Sequence, residues 1–245
     1  MRDFFYHLLT GYLGMFLWDG KLLDGANLPE RGPAVLVANH LETSGPIACC
    51  STLPMRLYPW AVADMVDEAR AAAWLQWDFV ERTLRLKPPA SGIVAQKLAH
   101  LTVPLLRSLG CIPVYKGEYE RMAETLSLSM DVLRHDRFLL VFAEDNLMPA
   151  DPVTHMRPFQ RTFARLGEMY YAETGKRLHF YPVAVHPSGF VKVGEPTAYD
   201  MLNPVGKERH RLKTLMENSV RAMYLQLELG EEYNPDASPK LALPR

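Results

Sequence analysis

The chain has little net charge of either sign. Its 245 residues carry 27 Lys and Arg against 28 Asp and Glu, a formal net charge of −1. No global field draws such a chain to a polyanion, so nucleic acid is not an expected partner and any basic site has to be local. Cysteine is scarce, with three in all, and Cys49 and Cys50 are adjacent. There is no CxxC and no Cys/His spacing of the zinc kind. No metal site is expected, and the thiols read as small buried apolar groups. No stretch reaches the roughly 20 apolar residues that a membrane-spanning helix needs. The first residues do not read as a secretory signal, because Asp3 interrupts the charged region and no small-residue cleavage site follows. A cytoplasmic protein is expected. Internal repeats, low-complexity tracts and a linker rich enough to split the chain are also missing. No Gly-x-Ser-x-Gly elbow occurs, which removes the usual signature of a serine esterase.

What is present is apolar sequence in short, well-phased runs. Hydrophobic residues make up 48% of the chain, enough for a full core. Phe4, Phe5, Leu8, Leu9, Tyr12, Leu13, Phe16 and Leu17 recur with a helical period. This predicts an amphipathic N-terminal helix within residues 1–20. Such a helix either lies on a membrane surface or docks on the body of the protein. Four aromatics in so short a stripe favour the membrane interface. Residues 34–38 (AVLVA) are wholly apolar, as a strand buried on both faces must be. Further strands are predicted at 58–63, 110–115, 137–143, 178–186 and 190–195. Helices are predicted at 46–53, 119–135, 158–175 and 205–229. Residues 64–109 read as helices broken at Pro88-Pro89 and at Ser91-Gly92. Alternation of strand and helix implies an α/β layered fold, with a mostly parallel central sheet flanked by helices. The main domain spans residues 21–230, with 64–100 as a helical insertion, and residues 231–245 form a disordered tail.

In open α/β sheets, ligands bind beyond the carboxyl ends of the strands. Polar residues stand at those ends here: Asn39-His40, Lys116, Glu144-Asp145 and the segment around Val183–His186. A base, a cation and carboxylates at converging strand ends suit transfer to a hydroxyl.

These segments also resemble a known family. VLVANHLETSGP is similar to the first motif of the phospholipid/glycerol acyltransferases, the family that includes lysophosphatidic acid acyltransferase. GCIPVYKG resembles the second motif. FLLVFAEDN stands where the third would be, MRPFQRTFARLG resembles the helix after it, and YPVAV resembles the fourth. The pieces occur in order over about residues 30–200. Gly45 stands where the first motif has Asp, Lys116 where the second has Arg, and Ala143 and Asp145 where Pro and Gly flank the third motif's Glu.

The resemblance implies transfer of a fatty acyl group from acyl-CoA or acyl-carrier protein to a hydroxyl of a glycerolipid or lysophospholipid, at the inner face of a membrane. No further cofactor is implied. His40 would be the general base, since a neutral imidazole suits that task near neutral pH. Glu42 is the nearest carboxylate in sequence that could orient the ring, provided residues 40–44 form a turn. Asn39, Lys116, Glu144 and Asp145 would contact substrate, with Lys116 on a phosphate and Glu144 near the acceptor head group. Without the motif's Asp, a second reading stands beside the first, a catalytically impaired member that binds lipid or acyl carrier without turnover.

Overall fold

The computed structural model describes residues 3–18, 20–41, 44–115 and 119–230. Eight strands form one sheet, in the order β1-β7-β6-β2-β5-β3-β4, with β8 paired to β6. The strands are β1 (Lys21–Leu23), β2 (Ala34–Ala38), β3 (Leu57–Val62), β4 (Ile112–Val114), β5 (Phe138–Phe142), β6 (His179–Val185), β7 (Phe190–Val193) and β8 (Thr197–Ala198). β6, β2, β5, β3 and β4 are mutually parallel, so their carboxyl ends share one edge. β7 and β8 run antiparallel to β6. The chain is therefore an α/β protein with a mostly parallel central sheet flanked by helices.

β2 lies mid-sheet and is buried along its whole length, as its unbroken apolar run requires. Alternate residues serve two cores. Val35 and Val37 face one layer, where α6 (Tyr119–Arg134), α7 (Arg165–Thr174) and α8 (Val205–Glu228) contribute Leu126, Met130, Leu166, Leu212 and Met216. Ala34, Leu36 and Ala38 face the other, where α2 (Ser44–Thr52) contributes Ala48, Cys49 and Cys50. Burial pushes the Cys50 thiol up to about 11, so it is an inert apolar filler at neutral pH.

The N-terminal helix α1 (Asp3–Leu17) docks and stays exposed at once. Tyr6 and Thr10 are buried, and a Cβ at Gly14 would lie 2.7 Å from the Ser51 Cβ on α2. These positions are four residues apart, a single narrow line of contact. The Tyr6 hydroxyl accepts the Leu57 main-chain N–H at 3.2 Å. Phe4 (71% exposed), Phe5, Leu8, Tyr12, Met15 (76%) and Phe16 point away from the body. Among the described residues, no helix is long and apolar enough to cross a membrane.

Between β3 and β4 the chain builds a helical unit with its own small core of Ala71, Leu75, Val80, Ala95, Ala99 and Val103. It consists of α3 (Ala63–Val66), α4 (Glu68–Leu75), a π-helical turn (Gln76–Glu81) and α5 (Ala90–Leu109). The expected break at Ser91-Gly92 does not occur. Ser91 is fully buried in the first turn of α5, and its hydroxyl donates to Glu81 at 2.8 Å. The helix predicted at 158–175 begins later, as a 3-10 turn (Thr162–Ala164) leading into α7, and closes at Gly175 with φ 68°. The tail, residues 231–245, lies outside the described residues.

Candidate active site

The site forms where β2, β5 and β6 end together. Ala38 pairs with Phe142 as the last rung of the β2–β5 ladder. Two residues beyond that rung stand His40 and Glu144. Glu144 Oε1 accepts the main-chain N–H of His40 at 2.8 Å, and its Oε2 accepts that of Arg157 at 3.0 Å. One carboxylate thus ties the residue after β2 to the loop that returns from β5. Hydrogen bonds from a main-chain N–H to an ionised carboxylate are among the stronger ones, about 1.5–3 kcal/mol each.

Asn39 is 1% exposed, and both ends of its amide are bonded to β6. Its Nδ2 donates to the Val185 carbonyl at 2.9 Å, and its Oδ1 accepts the Val185 N–H at 2.8 Å. The side chain replaces a rung of the β2–β6 ladder at the point where β2 ends. His40 is therefore fixed from both neighbouring strands, through Asn39 on the β6 side and through Glu144 on the β5 side. The imidazole packs edge-on against Phe142, with ring centroids 5.0 Å apart.

Immediately after His40 the backbone turns sharply. Leu41 has φ 39°, left-handed backbone that costs a non-glycine residue about 1–2 kcal/mol. Its carbonyl accepts the N–H of Ser44 at 3.2 Å and of Gly45 at 3.4 Å, which starts α2. A Cβ built at Gly45 would overlap the His40 carbonyl oxygen, 2.6 Å from its carbon and 3.3 Å from the Asn39 oxygen. Position 45 accepts no side chain while this turn holds. Glu42 and Lys116 lie outside the described residues.

Asp145 serves the loop after β5. Its Oδ1 accepts the Leu147 N–H at 3.1 Å, an Asx turn, and its own N–H donates to the Pro158 carbonyl at 2.8 Å. Gln160 N–H donates to the Ala143 carbonyl at 2.7 Å, so residues 157–160 run back along 143–145. Glu217 of α8 braces that return by accepting the Phe159 N–H at 3.0 Å. Burial of Glu217 opposes ionisation, but the Lys213 ammonium and the Phe159 N–H outweigh it and hold the carboxyl below the usual glutamate range. Asp64, at the end of β3, pairs with Arg70 at 3.3 Å.

His186, which no motif marks, is buried just beyond β6. One ring nitrogen lies 2.6 Å from the Ser188 hydroxyl, and the other lies 2.8 Å from Glu228 near the end of α8. It pins the β6 end, and with it the Val185 groups that hold Asn39. Among the described residues no cluster of His, Cys, Asp or Glu is arranged to hold a metal ion.

The sequence matches no protein-family model and no curated protein. Among solved structures it is similar to the crystal structure of the 1-acyl-sn-glycerophosphate (LPA) acyltransferase, PlsC, from Thermotoga maritima. That match has a TM-score of 0.48 and 13% identity, and covers 91% of this chain and 84% of that one. A likeness at this level assigns no residue a role.

Proposed function

We propose that this chain is an acyltransferase. It would move a fatty acyl group from acyl-CoA or acyl-carrier protein to a hydroxyl of a glycerolipid or lysophospholipid. The observation that carries the reading is the double anchoring of His40 at the end of a central strand, by Asn39 to β6 and by Glu144 to β5. A hydroxyl attacks a thioester once a base takes its proton, and an imidazole fixed in place at a strand end is suited to that step.

In this reading Asn39 and Glu144 are positioning residues, since their polar atoms are engaged by the main chain. Glu42 is proposed to orient the ring. Lys116 is proposed to hold a phosphate of the donor or acceptor, as a point charge rather than a bidentate fork. Lys116→Ala should then raise the KM for one phosphorylated substrate more than it lowers kcat. The exposed aromatic face of α1 supports a peripheral position on the inner membrane surface.

One observation favours the second reading, a family member that binds without turnover. Gly45 stands where the first motif has Asp, and a side chain there would overlap the His40 carbonyl. Incubation with acyl-CoA and detection of free thiol separates the two. Thiol release that requires an added lysophospholipid supports transfer. Acyl-CoA binding without any release supports the binder. Release that needs no acceptor would mean a hydrolase and would end the transferase reading.

A further inference from the structure

The helical unit between β3 and β4 carries a charge pattern unlike the rest of the chain. Between Glu81 and Glu118 there is no Asp or Glu, and Arg82, Arg85, Lys87, Lys97, Arg107 and Lys116 all fall in that stretch. Of these, Arg82 lies 3.6 Å from Asp78, and Arg107 is held by Glu68 at 2.7 Å. Arg85, Lys87 and Lys97 have no partner among the described residues.

The same surface exposes apolar side chains. Residues 82–90 are exposed throughout, Leu84 and Leu86 among them. Trp77 is 68% exposed on the π-helical turn that leads into this loop. On α5, Ile93, Lys97 and Leu101 are four residues apart, hence on one line of the helix, and all three are exposed. Leu101 is 72% exposed.

The loop is held at both feet. Gln76 Nε2 and the buried Ser91 hydroxyl each donate to Glu81 Oε1 at 2.8 Å. The Leu86 N–H donates to the Val80 carbonyl, and the Ser91 N–H to the Lys87 carbonyl, each at 3.2 Å. Hydrogen bonds from Gln76 and Ser91 keep the Glu81 carboxyl below the usual glutamate range, and they occupy it at the base of the loop. The tip then alternates Leu84, Arg85, Leu86, Lys87, and the sequence has no Asp or Glu from 82 to 117.

Exposed leucines and a tryptophan interleaved with unpaired cations fit one environment well. The headgroup boundary of an anionic bilayer takes apolar tips and neutralises cations at the same depth. An indole also prefers that boundary. We propose that this loop and the adjoining line of α5 form a second membrane contact, selective for anionic phospholipid. Trp77, Leu84 and Leu86 enter the boundary, and Arg85, Lys87 and Lys97 lie against lipid phosphates. The inference rests on the membrane-surface reading of the preceding section, but not on acyl transfer.

Sedimentation of the full chain with vesicles tests it. The vesicles are phosphatidylcholine alone, or phosphatidylcholine mixed with phosphatidylglycerol. The described residues of α1 include no Lys or Arg, so at neutral pH its contribution should be nearly the same for both lipids. Charge dependence should come from the loop, at about fivefold in affinity per cation. Wild type should bind the mixed vesicles more tightly, and salt should remove the difference. R85E/K87E should lose at least about 25-fold of that gain while keeping wild-type binding to phosphatidylcholine. K97E, on the solvent side of a helix, should lose part of it with an unchanged circular dichroism spectrum. Equal wild-type affinity for both vesicles would overturn the proposal. So would an R85E/K87E variant that binds mixed vesicles normally but no longer binds an acidic acyl-carrier protein, since the partner would then be that protein. Vesicle binding is scored without turnover. Lost charge dependence with intact thiol release counts against this inference alone, and the reverse counts against the acyltransferase reading alone.

Discussion

Gly45 packs directly on the carbonyl of His40. A Cβ at that position would overlap the oxygen and sit 2.6 Å from the carbon. The missing carboxylate of the first motif-like segment is therefore a requirement of this backbone. Gly45→Asp should not restore an orienting acid. It should destabilise the chain by about 1–3 kcal/mol, as forced overpacking does, and lower the Tm by about 2–4 °C per kcal/mol. Thermal unfolding with parallel thiol-release assays checks this. A Gly45→Asp variant that unfolds like wild type and turns over much faster would show that the turn after His40 opens, and that position 45 belongs to the site.

Glu144 should act through position. Glu144→Gln keeps the shape but weakens the hydrogen bonds to the His40 and Arg157 main chains, a loss of about 1–3 kcal/mol in stability. kcat should fall with it, while the KM for the acceptor changes little. A large rise in acceptor KM with unchanged stability would mean that the carboxylate contacts the acceptor head group instead.

The two faces of α1 should separate cleanly. Tyr6 is fully buried and its hydroxyl caps the Leu57 N–H, so Tyr6→Ala should cost about 3–5 kcal/mol. A Phe4→Ser, Leu8→Ser, Phe16→Ser variant should change stability by no more than about 0.5 kcal/mol per site. It should still weaken vesicle binding by about tenfold or more, given the apolar area withdrawn. Substitution is a better probe than deleting the helix, which would bare its contact line on α2. Unchanged vesicle binding in the triple variant would exclude the interfacial role of α1.

Acid should loosen the return of the β5 loop. The Glu217 carboxyl is held below its ordinary range, so the stability it contributes is present above that range. That stability is lost as the pH falls through the lowered folded value. Glu217→Gln should therefore be less stable than wild type at neutral pH, by about 1.5–3 kcal/mol. The gap should close as the pH drops below the ordinary glutamate range and through the lowered folded value. Thermal unfolding across that range gives the comparison, and a gap that stays constant with pH would contradict the assignment.

Much of the frame was legible because buried parallel strands need unbroken apolar runs. AVLVA became β2 over residues 34–38, and FLLVF became β5 within the predicted 137–143. Given two parallel strands that end in step, a meeting of His40 and Glu144 follows from register. The nature of that meeting was not legible, because Glu144 bonds main-chain groups, which leave no mark in a sequence. β1 and β8, of three and two residues, are too short to show a period. Ser91-Gly92 looked like a breaker because the carboxylate that makes a buried serine tolerable, Glu81, is ten residues away. Gly45 looked like an absence, and only its approach to His40 shows that a side chain would not fit.

Acyl transfer by the His40→Ala variant is the decisive measurement for His40 as the base. Thiol release from acyl-CoA is followed with and without lysophosphatidic acid as acceptor, for wild type and for the variant. His186→Ala serves as a second buried-histidine control. Wild type should show acceptor-dependent release, and His40→Ala a fall of about 10²–10⁴-fold. Acceptor-dependent release that continues at the wild-type rate in His40→Ala would contradict that role.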